Sequence, residues 1–186
     1  MFINSFNPNV FLDKKYVLLD NDFLTSLFHS NDLADSFVNL IPKGKKVYLY
    51  QLTEFEFLRD VFVPKEREIR EKFISTDFFG KMKKDKHAEM FNQLYENSIL
   101  LSKIYAHNNE KSKSSFVDLM LASLLMYSGS QLALITGNKR DFPSCVFDTL
   151  SVLNYEDTGG NIRTMSVVCF NKNKFDARYS KLQQLG

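Results

Sequence analysis

The chain has 186 residues, 44% hydrophobic and 25% charged, with 7 Gly and 4 Pro. That is enough apolar material for one core and too little Gly and Pro for a collagen-like or low-complexity chain. Lys plus Arg (24) against Asp plus Glu (22) leaves a formal charge of +2, so global electrostatics neither demands nor excludes a polyanionic partner and charge has to be read locally.

In chain order, the apolar run YVLL at 16–19 ends at Asp20 and predicts a strand buried on both faces. Asn21 or Asp22 can cap a helix carrying Phe23, Leu24, Leu27 and Phe28; Asn31 and Asp32 restart it through Leu40, and Pro42 and Gly44 stop it. A second strand at 47–50 runs into Thr53, whose spacing to Glu56 is that of a capping box opening a helix through Phe62. Alternating charges at 64–74 (PKEREIREKFI) predict a solvated helix within a charged segment at 64–86, and 85–107 a longer helix broken by Asn108 and Asn109. Residues 115–127 hold Asp118 as their one charge and predict a helix buried all round; 132–135 is a third strand leading into Thr136, Gly137 and Asn138. Two further strands, 149–155 and 162–170, joined through Gly159 and Gly160, predict a hairpin at a sheet edge, followed by a basic tail with Lys172, Lys174, Arg178 and Lys181. Two cysteines without CxxC spacing (Cys145, Cys169) and three histidines at no zinc spacing (His29, His87, His107) argue against zinc and a disulfide framework. No apolar run approaches the ~18 residues of a spanning helix, and residues 1–9 lack signal-peptide order, so the expectation is a cytoplasmic protein with a single domain over 1–186.

Strands alternating with helices imply a mostly parallel sheet between helices, with ligands bound beyond the carboxyl ends of the strands. Four acids fall at that edge: Asp20 after strand one, Glu56 and Asp118 near the starts of helices, and Asp141 after strand three. Local capping or a turn before Pro143 explains each one alone. Together they are harder to explain, because Asp118 opens an almost wholly apolar helix and no Lys or Arg lies between Ser114 and Gly137. Converging carboxylates repel and raise one another's pKa unless a cation intervenes, and hard oxygen donors without His or Cys select Mg²⁺ or Mn²⁺.

The stretches YVLLDNDFL (16–24), LTEFEFL (52–58), FVDLMLASLL (116–125) and LITGNKRDFP (134–143) resemble, in order and spacing, the motifs of PIN-domain nucleases, particularly VapC-type toxin ribonucleases. The resemblance covers about residues 16–142 and leaves the hairpin and basic tail at 147–186 outside it. It implies a three-layer α/β/α sandwich and a metal-dependent endoribonuclease whose acids are Asp20, Glu56, Asp118 and Asp141, supported by Thr136 and Asn138. It also implies Mg²⁺ or Mn²⁺ as cofactor, RNA as substrate, an antitoxin-like inhibitor and a homodimer. Asn21 stands where that family often has Thr or Ser, and Glu54 competes with Glu56 as second acid. Lys139 and Arg140, beside the acids, are expected to grip the RNA backbone, with Lys81, Lys83, Lys84 and Lys86 as a further basic cluster and the tail cations Lys172, Lys174, Arg178 and Lys181 as additional candidates. Helical recurrence assigns the Phe residues of FLTSLF and TEFEFL, and Met120 and Met126, to the core rather than to base stacking. Two alternatives stand beside this reading. Asp20 and Asp22 form the D-x-D of a haloacid-dehalogenase-like phosphatase, and a PIN-like fold can persist as a non-catalytic RNA- or protein-binding scaffold.

Overall fold

The computed structural model describes residues 6–81, 84–107 and 114–184, with backbone alone over 84–89. Of the basic cluster, only the side chain of Lys81 is therefore described; Lys83, Asn108 and Asn109, and the side chains of Lys84, Lys86 and His87, lie outside the described residues.

A six-stranded, mostly parallel sheet organises the chain. Strands β1 (Tyr16–Leu19), β2 (Val47–Leu49), β3 (Phe79–Lys81), β4 (Leu132–Thr136), β5 (Phe147–Glu156) and β6 (Ile162–Phe170) lie in the order β3-β2-β1-β4-β6-β5. The first four pair in parallel, with Leu18 opposite both Tyr48 and Leu134 and Leu19 opposite Ile135; β6 joins β4 antiparallel, and β5 closes the edge as the outer arm of the expected hairpin. No helix among the described residues is long and apolar enough to cross a membrane.

The pleat of β1 and β4 divides the core into two layers. Val17, Leu19, Ala133 and Ile135 face one cluster with residues of α1 (Val10–Asp13), α2 (Asn21–His29), α3 (Asn31–Leu40), α4 (Gln51–Arg59) and α5 (Pro64–Ile74). Leu18, Leu132 and Leu134 face the other, built from α6 (Lys84–His107), α7 (Phe116–Ser128) and α8 (Lys172–Gln183). The continuous apolar run of β1 is thus explained by burial on both sides. Much of the phenylalanine surplus sits in the first layer, where Phe23 meets Phe37 edge-on at 4.9 Å and Phe28 meets Phe57 at 5.4 Å. Phe55 is the exception to the core assignment, 60% exposed on the outer side of α4.

Several local expectations need correction. Helix α4 starts directly after β2 with Tyr50 as its N-cap, so Thr53 falls inside the first turn and the Thr53–Glu56 capping box does not form. Its hydroxyl is fully buried, with no hydrogen-bond partner among the described residues. The same helix ends at Arg59, leaving Phe62 91% exposed. Strand β3 interrupts the charged 64–86 segment after α5; it needs Gly80, because a Cβ there would stand 2.5 Å from the Tyr48 ring. The basic tail is a helix, α8, capped by the Asn171 side chain on the Lys174 N–H and anchored by buried Phe175. A buried hydroxyl without a partner carries a desolvation cost. Thr53→Val, which keeps the branched shape, is therefore expected to stabilise the protein by about 1 kcal/mol, or roughly 2–4 °C in Tm. A lower Tm on thermal unfolding would mean that the hydroxyl is bonded.

Candidate active site at the carboxyl edge of the sheet

The parallel register brings the ends of β1 and β4 together, and with them Asp20 and Thr136. Asp20 is the N-cap of α2, rather than Asn21 or Asp22: its Oδ1 accepts the Asn21 N–H at 2.7 Å while Oδ2 accepts the Thr136 hydroxyl at 2.7 Å. Thr136 Oγ1 in turn accepts the Asn138 N–H at 3.0 Å. Asp20 and Thr136 are both buried, 5% and 0% exposed, so this bond fixes one carboxylate rotamer at the edge.

Helix α7 runs into β4 through a short turn, which places its N-terminus back at the same edge. There Asp118 completes a capping box, accepting the Ser115 N–H at 2.9 Å while the Ser115 hydroxyl accepts the Asp118 N–H at 3.2 Å. Beyond β4, a 3-10 turn over Lys139–Asp141 buries Asp141 to 6% exposure and leaves Lys139 and Arg140 in solvent. The Asp141 carboxylate accepts the Ser114 hydroxyl at 2.6 Å and a short bond from Asn138 Nδ2, and its backbone carbonyl accepts the Tyr105 hydroxyl at 3.2 Å. Asn138 thus orients Asp141 directly and couples it through Thr136 to Asp20.

The second acid lies on α4. Glu56 is half-buried, with Arg59 3.8 Å away, whereas Glu54 turns toward β3 and Lys81 at 3.9 Å. These two glutamates therefore serve different neighbours.

Charge couples this edge. Burial pushes the Asp20 carboxyl up to about 7, helped by Asp22 and Asp118 and opposed by its bonds to Thr136 and Asn21. Burial also raises Asp22, with Asp118 adding to the shift. Glu56 is raised by burial and then by Asp118, Asp60 and Asp22, against Arg59. Asp118 itself is raised by burial and by Asp141, against its Ser115 bonds. Asp118 is thus the common neighbour that opposes ionisation of the other three. Among the described residues no Lys or Arg forms an ion pair with Asp20, Asp22 or Asp118.

Asp22 belongs to this edge although the sequence offers it mainly as a helix cap. Its Oδ2 accepts the Gly137 N–H at 2.7 Å, tying α2 to the loop after β4. A Cβ at position 137 would stand 2.5 Å from that oxygen, so only glycine allows the approach. Asp22, Gly137 and Asn138 also form one wall of an open cleft of about 700 Å³, whose far wall is the hairpin, including Tyr155, Arg163 and Met165. Arg163 is held by Asp157 at 2.9 Å, and Tyr155 donates to Ser26 at 2.8 Å.

Asp20, Asp22, Glu56 and Asp118 offer hard carboxylate oxygens of raised proton affinity, a donor type that suits Mg²⁺ or Mn²⁺ better than zinc. The side chains do not form a finished cage: among the described residues, no three His, Cys, Asp or Glu groups are arranged to hold an ion. Asp118 and Asp141 are instead turned to local donors, Ser115 for the first and Ser114 with Asn138 for the second.

No family model, curated protein or solved structure matches the chain.

The raised Asp20 carboxyl gives a pH signature. Its proton affinity is higher folded than unfolded, so its contribution favours folding below about pH 4 and is lost as pH rises through about 7. In chelator, the Tm of Asp20→Asn should exceed that of the native protein by a margin that widens between pH 5 and pH 8. A margin constant over that range would contradict the charge assignment.

Proposed function

We propose that the protein is a metal-dependent endoribonuclease with a PIN-like three-layer arrangement of its sheet and helices. The observation that carries this reading is the mutual electrostatic opposition of Asp20, Asp22, Glu56 and Asp118, with Asp141 bearing on Asp118, at the carboxyl edge of a mostly parallel sheet. A cation is the economical way to relieve it.

Asp20, Asp118 and Asp141, with Glu56 completing the set, would hold Mg²⁺ or Mn²⁺. The bound ion supplies water activation and charge neutralisation for phosphodiester hydrolysis. The chain's own residues set up that chemistry. Thr136 locks the Asp20 rotamer through Oδ2, and Asn138 holds Asp141 from the loop that also carries Gly137. Asp118, whose Oδ2 accepts the Ser115 N–H, would offer its carboxylate from a helix terminus whose partial positive charge already favours it. Lys139 and Arg140, exposed next to Asp141, would hold the RNA backbone against an otherwise repulsive acidic pocket. An antitoxin-like inhibitor and a homodimer rest on the family resemblance alone.

The phosphatase alternative has local support, since Asp20 and Asp22 face the same edge. It requires a lysine and a further acidic pair on strands after Thr136, where the chain forms an antiparallel hairpin instead. Mn²⁺ should support RNA cleavage and EDTA should stop it, with Asp20→Asn or Asp141→Asn lowering the rate by at least about 100-fold, the scale of losing one key electrostatic group. Undiminished cleavage in both variants refutes the proposal. Phosphomonoester hydrolysis abolished by Asp22→Asn, with RNA left intact, would establish the phosphatase.

A further inference from the structure

We propose that the groove between α8 and the loop after Asp141 is a seat for the RNA backbone, extending the grip of Lys139 and Arg140 away from the acids; this rests on the ribonuclease reading. Lys172 is bound to Asp176 at 2.6 Å, and Lys174 to Asp148 at 2.7 Å and to the Ser144 carbonyl at 3.0 Å. The Lys174 and Asn171 bonds hold Asp148 below the usual carboxylate range, as expected of engaged partners. Arg178 and Lys181, one turn apart, have no carboxylate partner among the described residues. Lys139 and Arg140 are in the same position, which separates the cations available to a polyanion from those already neutralised.

Geometry then joins the two pairs. Arg178 and Lys181 line a shallow groove of about 260 Å³ together with Ser144, Cys145, Lys174 and Ala177. Ser144 follows Asp141 by three residues, so their Cα atoms are separated by no more than ~11 Å. The loop is clamped at two points, by Lys174 of α8 on the Ser144 carbonyl and by the N–H of Asn171, the N-cap of α8, on the Val146 carbonyl at 3.0 Å. The groove is therefore fixed relative to the acids, and a strand cut at the acidic edge can run across the 3-10 turn onto α8 within a few nucleotides. The hairpin side suits phosphates poorly, because its cleft presents Asp22, Glu156 and Asp157, and its Arg163 is already held by Asp157 at 2.9 Å. Lys181 also has a local role, since a cation in the last turn complements the helix dipole. That role predicts no effect on RNA.

The test is binding of a fluorescent single-stranded RNA of mixed sequence to the full chain in EDTA, measured as a function of salt. For the double variant Arg178→Gln/Lys181→Gln, the slope of log affinity against log salt should fall by about 1.4, and the Kd at 50 mM salt should rise on the order of tenfold or more. Lys172→Gln, on the same helix but spent on Asp176, should leave both unchanged. If the native chain binds RNA and the double variant matches it in slope and Kd, the groove is wrong while the ribonuclease reading stands. If the native chain binds no RNA in EDTA or in Mn²⁺, both fail. Equal losses in the double variant and Lys172→Gln would also overturn the groove, because the effect would then be one of net charge.

Discussion

Parallel pairing of β1 with β4 is the constraint on which both the core and the candidate site depend. Setting Leu19 opposite Ile135 buries three successive side chains, Val17, Leu18 and Leu19, on alternate faces and brings Asp20 within 2.7 Å of Thr136. A slip of one residue would exchange the two apolar faces and separate that pair. The site is therefore not an appendage of the fold. Its central hydrogen bond is a consequence of the same register that lets two hydrophobic layers form.

Around that pair, helix starts do much of the positioning. Asp20 caps α2 and Asp118 completes the capping box of α7, so each carboxylate is accounted for locally while its charge still acts on the other acids of the edge. This dual use explains why the separate capping explanations and the collective electrostatic one are compatible. Capping orients the groups, and burial together with mutual repulsion raises their proton affinities. A fully ionised edge without a compensating cation would be a standing cost to folding, of the kind proteins keep at sites that bind something.

Elements with strong internal signals were legible in sequence. The wholly apolar β1, the Ser115–Asp118 box opening an apolar α7, the Pro-initiated α5 and the Gly-joined hairpin all formed at or near their expected bounds. The misses have physical causes. Strand β3 is three residues long and contains a glycine and a lysine, too short for a period of two to show. Helix α8 buries Phe175 but carries few other apolar residues, so it lacked the stripe that marks an amphipathic helix. The Thr53–Glu56 spacing matched a capping box, yet β2 ran straight into α4 and displaced it. Asp22 was undervalued because its decisive partner, the Gly137 N–H, is 115 residues away. Tertiary hydrogen bonds of that range leave no periodic trace.

If these carboxylates crowd uncompensated negative charge onto one edge, a hard divalent cation should complete it. The most direct measurement is calorimetric titration of Mn²⁺ into metal-free protein near pH 6.5, repeated in buffers of different ionisation enthalpy. Because Asp20 is partly protonated there, binding should release protons, and Asp118→Asn should weaken it markedly. Absence of saturable Mn²⁺ binding, or binding that releases no protons and is indifferent to Asp118→Asn, would contradict the claim.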